Sequence, residues 1–315
     1  MNIANYIKNK EIKFDTTRVS NFVWSIIRAV LIIGISYIIL FPILSKLSTT
    51  FMAEQDLFDR TVKWIPKHFT FKNIRLVWEA MDYPTAFMNS LFFSLGISLL
   101  QLMSSLLVGY GFARFNFKGR GILFALVIFT LIVPPQVIMI PMYLNFRYFN
   151  IFGLIPGEGL NLLNSYWPFI LLSITGTGLK SGLFIYIMRQ YFKGMPRVLE
   201  EAAYVDGAGL LKTFFKVMLP GAVPVLVIVF LFAFVWQWND DYLVSMFLRD
   251  GNLLGINLSN LIIRVTKGKP SDISSQYMAM LNNTGSLLFM APLLILYLFM
   301  QKYFIESVER TGIVG

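Results

Sequence analysis

No cysteine and only one histidine, His68, occur among the 315 residues, and these two absences exclude more chemistry than any motif supplies. Without thiols there is no disulfide framework, no thiolate zinc site and no cysteine nucleophile. A His-based zinc site lacks partner ligands, and a triad built on His68 would have to reach an outer loop, where the residue reads as solvated or packed. No metal or catalytic site is expected. Charge is scarce as well, at 14% of residues against about 25% in an average globular protein. Acids are the scarcer sign, with 17 Asp and Glu against 27 Lys and Arg and a net charge of +10. The basic residues lie between and beside apolar runs rather than on a soluble domain, so lipid rather than nucleic acid is the expected partner.

Apolar residues fill the chain instead, at 56% of the total. A bilayer core of about 30 Å takes roughly 20 apolar residues per helix. Six intervals qualify: 22–44, 83–113, 121–146, 165–188, 217–239 and 273–301, with Arg28 inside the first and Lys180 inside the fourth. They are continuously apolar rather than alternating, which predicts helices and not a barrel. The fold class expected is an all-α integral membrane protein with six transmembrane helices. None of the six runs contains Asp or Glu, which argues against a secondary carrier coupled to protons or sodium. The first run is too long for a signal peptide and no small-residue cleavage site follows it, so it is expected to stay as an anchor.

Loop charge sets the expected orientation. Arg114, Lys118 and Arg120 crowd the short connection after the second run, whereas Arg147 stands alone after the third, which places both termini in the cytoplasm. The chain then divides into a basic cytoplasmic lead (1–21), a first helix with its outer loop (22–84), a transmembrane core (85–305) and a cytoplasmic tail (306–315). The outer segments 46–82 and 240–272 exceed the usual helix connection of about 2–8 residues, which suggests work at the outer face. In "LIVPPQVIMIP", Pro134, Pro135 and Pro141 must kink or unwind the third run, either for packing alone or to line a pathway.

The connection between the fourth and fifth runs is of another kind. It contains "LEEAAYVDGAG", in which Pro196 suits a first helical turn and Glu200 and Glu201 lie near the positive end of the helix dipole. Ala202 and Ala203 are small, Gly207 and Gly209 after Asp206 allow a sharp bend, and "LLKTFFKV" resumes an amphipathic helix before Pro220 opens the next span. A helix–bend–helix knob tipped with small residues suits a groove on another protein. No phosphate-binding loop accompanies it: "GAGLLKT" has Leu211 where the final glycine belongs.

Glu201, Ala202, Ala203 and Gly207, followed by Leu219 and Pro220, resemble the EAA signature of ABC importer permeases. "NSLFFSLGISLLQLMSSLLVGYGFARFNFKGR", "VPPQVIMIPMYL", "FIYIMRQYFKGMP" and "WQWNDDYL" are similar to the carbohydrate-uptake members, in particular the maltose-type second membrane subunit, from Thr85 onward. The resemblance implies a type I importer transmembrane domain whose loop at 195–220 is the coupling helix, docked in a cleft of a separate ATPase. It implies that Glu201 pairs with a basic residue there, that Ala202 and Ala203 permit close approach and that Gly207 forms the bend, with Glu200 and Asp206 in the same coupling group. It further implies a bacterial cell-membrane complex with a homologous second permease, two ATPase subunits, an extracytoplasmic solute-binding protein and an oligosaccharide substrate. ATP and Mg would be used by the ATPase subunits, with no cofactor on this chain. The terminal "VERTGIVG" keeps Gly312 and Gly315 of the family's glycine-rich tail but lacks a lysine near its end.

Substrate-path candidates follow from chemistry. Lys180, in "SITGTGLKSGLFIYIM" beside Gly176, Gly178 and Gly182, is either a cation in the path favouring acidic sugars or a side chain snorkelling to an outer interface. Trp236, Gln237, Trp238, Asn239 and Asp240 close the fifth run, and Asn89 lies in the second. Rings stack on sugar faces and amides bond hydroxyls, but the two tryptophans also suit an interfacial belt, and residues two apart do not share a helix face. Asp240 and Asp241 are adjacent carboxylates that diverge rather than form an acid–base pair. The alternatives kept are a permease of the same kind for another solute and an ion-coupled carrier.

Overall fold

The computed structural model describes residues 16–151, 153–269, 271 and 273–312. Of the expected lead, residues 1–15 lie outside the described residues, as do 313–315 of the expected tail, Gly315 included. Among the described residues the chain is helical, without a strand and with two isolated bridges, Met52 with Phe69 and Phe149 with Leu160. It divides into two compact units, Met1–Ile74 with Ser274–Leu287, and Arg75–Ile273 with Leu288–Gly315.

The first unit is built on helix α1 (Thr16–Thr50), whose side chains from 20 to 42 are all exposed. An apolar helix exposed on every side is a helix with a lipid solvent. Its end is tied down by polar groups: Asn73 Nδ2 donates to the carbonyls of Thr50 and Met52 at 2.9 and 2.8 Å, and Lys46 Nζ donates to Asn283 Oδ1 at 2.9 Å. Phe51, Phe69 and Phe71 form a mutual cluster, with Phe51 and Phe69 stacked at 5.0 Å. His68 is a structural partner of buried Asp56: its ring Nδ1 lies 2.6 Å from Oδ1 and its backbone N–H donates to Oδ2 at 2.9 Å.

The second unit is centred on α3 (Tyr83–Arg114), preceded in the chain by α2 (Lys72–Ala80). Buried Ser90, Ser94, Ser98, Gln101 and Ser105 recur at helical spacing, a stripe of small polar residues that lets neighbours approach closely. The chain continues through α4 (Arg120–Ile132), α5 (Met139–Arg147), α6 (Trp167–Ile174), α7 (Ser181–Gly194) and α8 (Val198–Val205). Then come α9 (Leu210–Thr213), extended by a π-type turn over Phe214–Met218 and a last turn over Leu219–Gly221, and α10 (Val223–Trp238). Three short helices follow, α11 (Tyr242–Phe247), α12 (Leu254–Ser259) and α13 (Leu261–Val265), and the long α14 (Ser275–Gly312) completes the described chain. Two apolar cores form along α3. Leu106, Tyr110, Phe184, Met188, Phe192, Phe214 and Met218 pack together toward its Arg114 end. Ile97, Phe146, Phe169 and Phe247 belong to the other, with Phe247 edge-on to Phe146 and Phe169 at 5.2 and 5.7 Å.

Six uninterrupted spanning helices are not present among the described residues. Three are long and apolar enough, Ser20–Thr50, Tyr83–Arg114 and Ser275–Gln301, and two bent pairs bring the number to at most 5. Proline and glycine account for the difference. Val133 and Pro134 are extended, so the expected third run turns by 101° between Ile132 and Pro135, far beyond a packing kink. The fourth run is two helices, α6 and α7, separated at 175–180 by Gly176 (φ +69) and Lys180 (φ +61). The fifth bends by 75° at Ala222, so the long helix opens at Val223 with Pro224 behind it, not at Pro220.

Close packing of α3 on α7 rests on Gly109, where a Cβ would stand 2.5 Å from Met188 Cβ and 3.0 Å from the Arg189 backbone nitrogen. Gly109→Ala is expected to force the helices apart and cost about 1–3 kcal/mol. Gly111→Ala, with nothing nearer than Phe115 at 3.9 Å, should leave thermal unfolding of the purified protein in detergent unchanged.

Candidate functional site

The 195–220 segment folds as two short helices around a glycine. Helix α8 ends in a pair of bonds characteristic of a left-handed cap: Gly207 N–H donates to Tyr204 O at 3.0 Å and Ala208 N–H to Ala203 O at 2.9 Å. Gly207 has φ +75, a conformation that an L side chain would strain. Gly209 then starts α9, its carbonyl accepting from Thr213 N–H at 2.9 Å. Glu201, Ala202, Tyr204, Val205 and Asp206 face outward, and Val205 is 87% exposed. With exposed Val198, Leu199 and Leu211 they make an apolar tip with an acidic rim. Leu219 is half-buried and Pro220 exposed on the returning arm.

Glu200 and Ala203 point the other way and are buried. Tyr110 Oη donates to Glu200 Oε1 at 3.0 Å, and Arg114 Nε lies 3.4 Å from Glu200 Oε2, an ion contact without hydrogen-bond geometry. The two charged side chains are only 6% and 11% exposed. Arg114 also donates from Nη2 to Met195 O at 2.9 Å, tying the entry of the knob to the same guanidinium. The neighbouring glutamates are therefore divided: Glu200 fastens α8 to the end of α3, and Glu201 faces outward. Sequence reasoning placed Arg114 among loop charges and gave Tyr110 no role. The available signal was that adjacent helical residues point about 100° apart, so the two acids need not share a face.

The α6–α7 break is held by the polar stripe of α3. Gln101 Nε2 donates to Leu179 O at 3.2 Å and Ser104 Oγ to Ser173 O at 2.6 Å. A Cβ on Gly178 would meet Gln101 Nε2, and one on Gly182 would meet Thr130 Oγ1, so both glycines are set by close approach. Lys180 caps α7 in the left-handed region at a cost of about 1 kcal/mol or more, is exposed, and holds its Nζ 5.6 Å from the centroid of the Trp236 ring. Trp236 is half-buried and stacks on Phe184 at 5.7 Å.

The other path candidates separate. Trp238 is buried, its Nε1 donating to Phe289 O at 3.3 Å beside Phe87 and Phe234, a packing position rather than a free face. Gln237 is buried with Nε2 unpartnered, and Asn239 is exposed with Nδ2 on Val235 O. Asp240 accepts from Leu243 N–H through Oδ1 at 3.0 Å, while buried Oδ2 has no partner. Burial, with neighbouring Asp241 adding to it against the lowering effect of the Leu243 and Tyr242 N–H groups, pushes its carboxyl up to about 6. Asn89 donates to Asn252 O at 3.0 Å and lines an aromatic cavity of about 370 Å³ with Phe92, Phe93 and Tyr166. A more polar cavity of about 580 Å³ adjoins at Tyr166 and Ile170, with Asn164, Trp167 and Asp250 in its wall. Asn164 and Asp250 had no motif to mark them; they meet only because loops 86 residues apart exchange two hydrogen bonds.

A helical chain broken at three of its apolar runs, with an exposed helix–bend–helix knob between two of them, is an architecture shared with membrane components of transport systems. Residues 105–310 match the family described as binding-protein-dependent transport system inner membrane component, and the chain belongs to that family. It is 30% identical over 285 residues to the arabinooligosaccharides transport system permease protein AraQ of Halalkalibacterium halodurans, spanning 89% of this chain and 93% of that protein. The maltodextrin transport system permease protein MdxG of Bacillus subtilis is 29% identical over 286 residues, 89% of this chain and 93% of that one. In fold the chain is similar to a chain of a bacterial ABC transporter involved in the import of the acidic polysaccharide alginate, at a TM-score of 0.67 and 22% identity over 90% of this chain and 98% of that one. The fold is thus all-α and of the ABC importer permease type, in an inner-membrane component.

Glu200→Ala should destabilise the protein by about 3–5 kcal/mol by stranding the Arg114 charge, whereas Glu201→Ala should shift thermal unfolding little. At Asp240 folding favours the protonated carboxyl, so its stabilising effect is complete below the ordinary value of 3.8 and is lost as pH rises through about 6. Asp240→Asn is therefore expected to unfold at a higher temperature than wild type at alkaline pH, with the gap closing on titration toward pH ~4.

Proposed function

We propose that this chain is the permease subunit of an ATP-driven, binding-protein-dependent importer of oligosaccharides. The observation that carries the reading is the knob: an outward face of Glu201, Ala202, Tyr204 and Val205 on a short helix anchored inward through Glu200. Membership of a binding-protein-dependent transport family and the arabinooligosaccharide and maltodextrin relatives support it. In this reading the chain pairs with a homologous permease, two ATPase subunits that use ATP and Mg, and an extracytoplasmic solute-binding protein. It carries no catalytic residue of its own. The two bent pairs and the split α6–α7 segment each count as one crossing, giving six, with both termini in the cytoplasm.

The mechanism follows from rigidity. Closing ATPases push on exposed Glu201, Ala202 and the Gly207 bend, and a push on α8 is passed to α3 through Glu200, Tyr110 and Arg114 instead of being lost in a hinge. Because α3 packs on α7 at Gly109 and bonds the α6–α7 break at Gln101 and Ser104, displacement at the knob reaches the membrane interior. Alternating access is then a two-state switch biased by nucleotide and by the binding protein.

Glu201→Lys tests the reading in vesicles holding the complete complex. ATP-dependent uptake of arabino- or malto-oligosaccharides is expected to fall at least tenfold while the permease itself unfolds at the wild-type temperature. Uptake that is unaffected by the substitution, or that follows an ion gradient without ATP, would overturn it.

A further inference from the structure

Lys180 sits where a lysine is least comfortable, and nothing in the fold explains it as packing. From Arg189, whose guanidinium covers the Phe124 ring, back to Lys180 is nine residues of α7, or about 14 Å. Past the break, the eight residues of α6 rise about 12 Å to Trp167. With Arg189 and Trp167 taken as the two edges of a hydrocarbon layer of about 30 Å, Lys180 falls near its middle by chain count. It forms no ion pair among the described residues. Its side chain is exposed, and its ammonium rests over the indole of Trp236. An ammonium at that depth belongs to an aqueous cavity rather than to lipid.

Three further features share the place. The N-terminus of α7, a 14-residue helix, opens at Lys180 and brings the positive end of its dipole to the same depth. Ser181 Oγ, on a residue only 1% exposed, has no hydrogen-bond partner in this first turn. The left-handed backbone at Lys180 would be easier for glycine, so the strain is retained with a cation present.

We infer that Lys180, the first turn of α7 and the Trp236 ring form an anion-selective station in the transport path, which takes the carboxylate of a uronic-acid-containing oligosaccharide. This deepens the proposed function and rests on it. In the empty path the ammonium lies on the indole. A sugar carboxylate would draw it off the ring and pair with it, and the uncovered indole would stack on the apolar face of the sugar. A neutral sugar offers the ammonium nothing in exchange for the lost ring contact, so the same pair disfavours it.

Uptake into vesicles with the complete complex tests this, using uronate-containing oligosaccharides and the same oligosaccharides after carboxyl reduction. Wild type should take up the acidic form at least tenfold better. Lys180→Gly, which suits the left-handed backbone, and Lys180→Gln should both lower acidic uptake tenfold or more and raise reduced-sugar uptake by freeing the Trp236 ring, while Lys180→Arg retains the preference. Equal uptake of both forms by wild type, or equal loss of both in the variants, would overturn the station while leaving the importer intact. Absence of ATP-dependent uptake of any acidic or neutral oligosaccharide would instead overturn the importer reading on which it rests.

Discussion

A backbone amide or carbonyl freed at membrane depth has no water to turn to, and α3 is built around that constraint. Its buried stripe from Ser90 to Ser105 is small enough for α7 to approach at Gly109 and polar enough to bond what the broken segment exposes. Gln101 and Ser104 take the carbonyls of Leu179 and Ser173, and the threonines at 175 and 177 fold back on Leu171 and Leu172. Without those bonds, the break that sets Lys180 at the head of α7 would be an unpaid loss of backbone hydrogen bonds. With them it is a fixed feature, and both apolar cores are assembled on the two ends of the same helix.

Much of this was legible in the chain, for physical reasons that can be named. Apolar runs report membrane helices because transfer free energy depends on composition alone, and α1, α3 and α14 appear where hydropathy puts them. The knob was legible because Pro196, the two glutamates and Gly207 each have a local backbone preference, and local preferences need no distant partner. What hydropathy could not register was interruption. Gly176 to Lys180 reads as apolar continuation, yet the chain unwinds there because α3 supplies the bonds, a tertiary fact. The prolines after Val133 announced a disturbance, but a sequence does not say whether a helix bends slightly or turns through 101°.

The candidate site shows the same division. Sequence grouped Glu200 with Glu201 and Trp236 with Trp238, and in each pair the fold separates the two: one residue serves the interior, the other an exposed or half-exposed surface. Helical periodicity permits such a split but does not require it or set its sense, which depends on which neighbour carries the matching group. Arg114 and Tyr110 decide it for the glutamates, and Phe289 with Phe87 decides it for Trp238. The pairing of Asn164 with Asp250 belongs wholly to the fold, since nothing local to either segment calls for the other.

Helices α1 and α3 are nearly equal in length and in apolar character, but every side chain of α1 from 20 to 42 is exposed whereas α3 is studded with buried serines and a crowded glycine. The two therefore store different kinds of information. Over its exposed stretch, α1 carries a bulk property, a sum over residues in which leucine, isoleucine, valine and phenylalanine are close to interchangeable and order hardly matters. In α3 the order is the message: shuffling its residues would preserve its hydropathy and erase its shape. Over evolutionary time the first should wander as a phrase of synonyms, the second should hold its spelling.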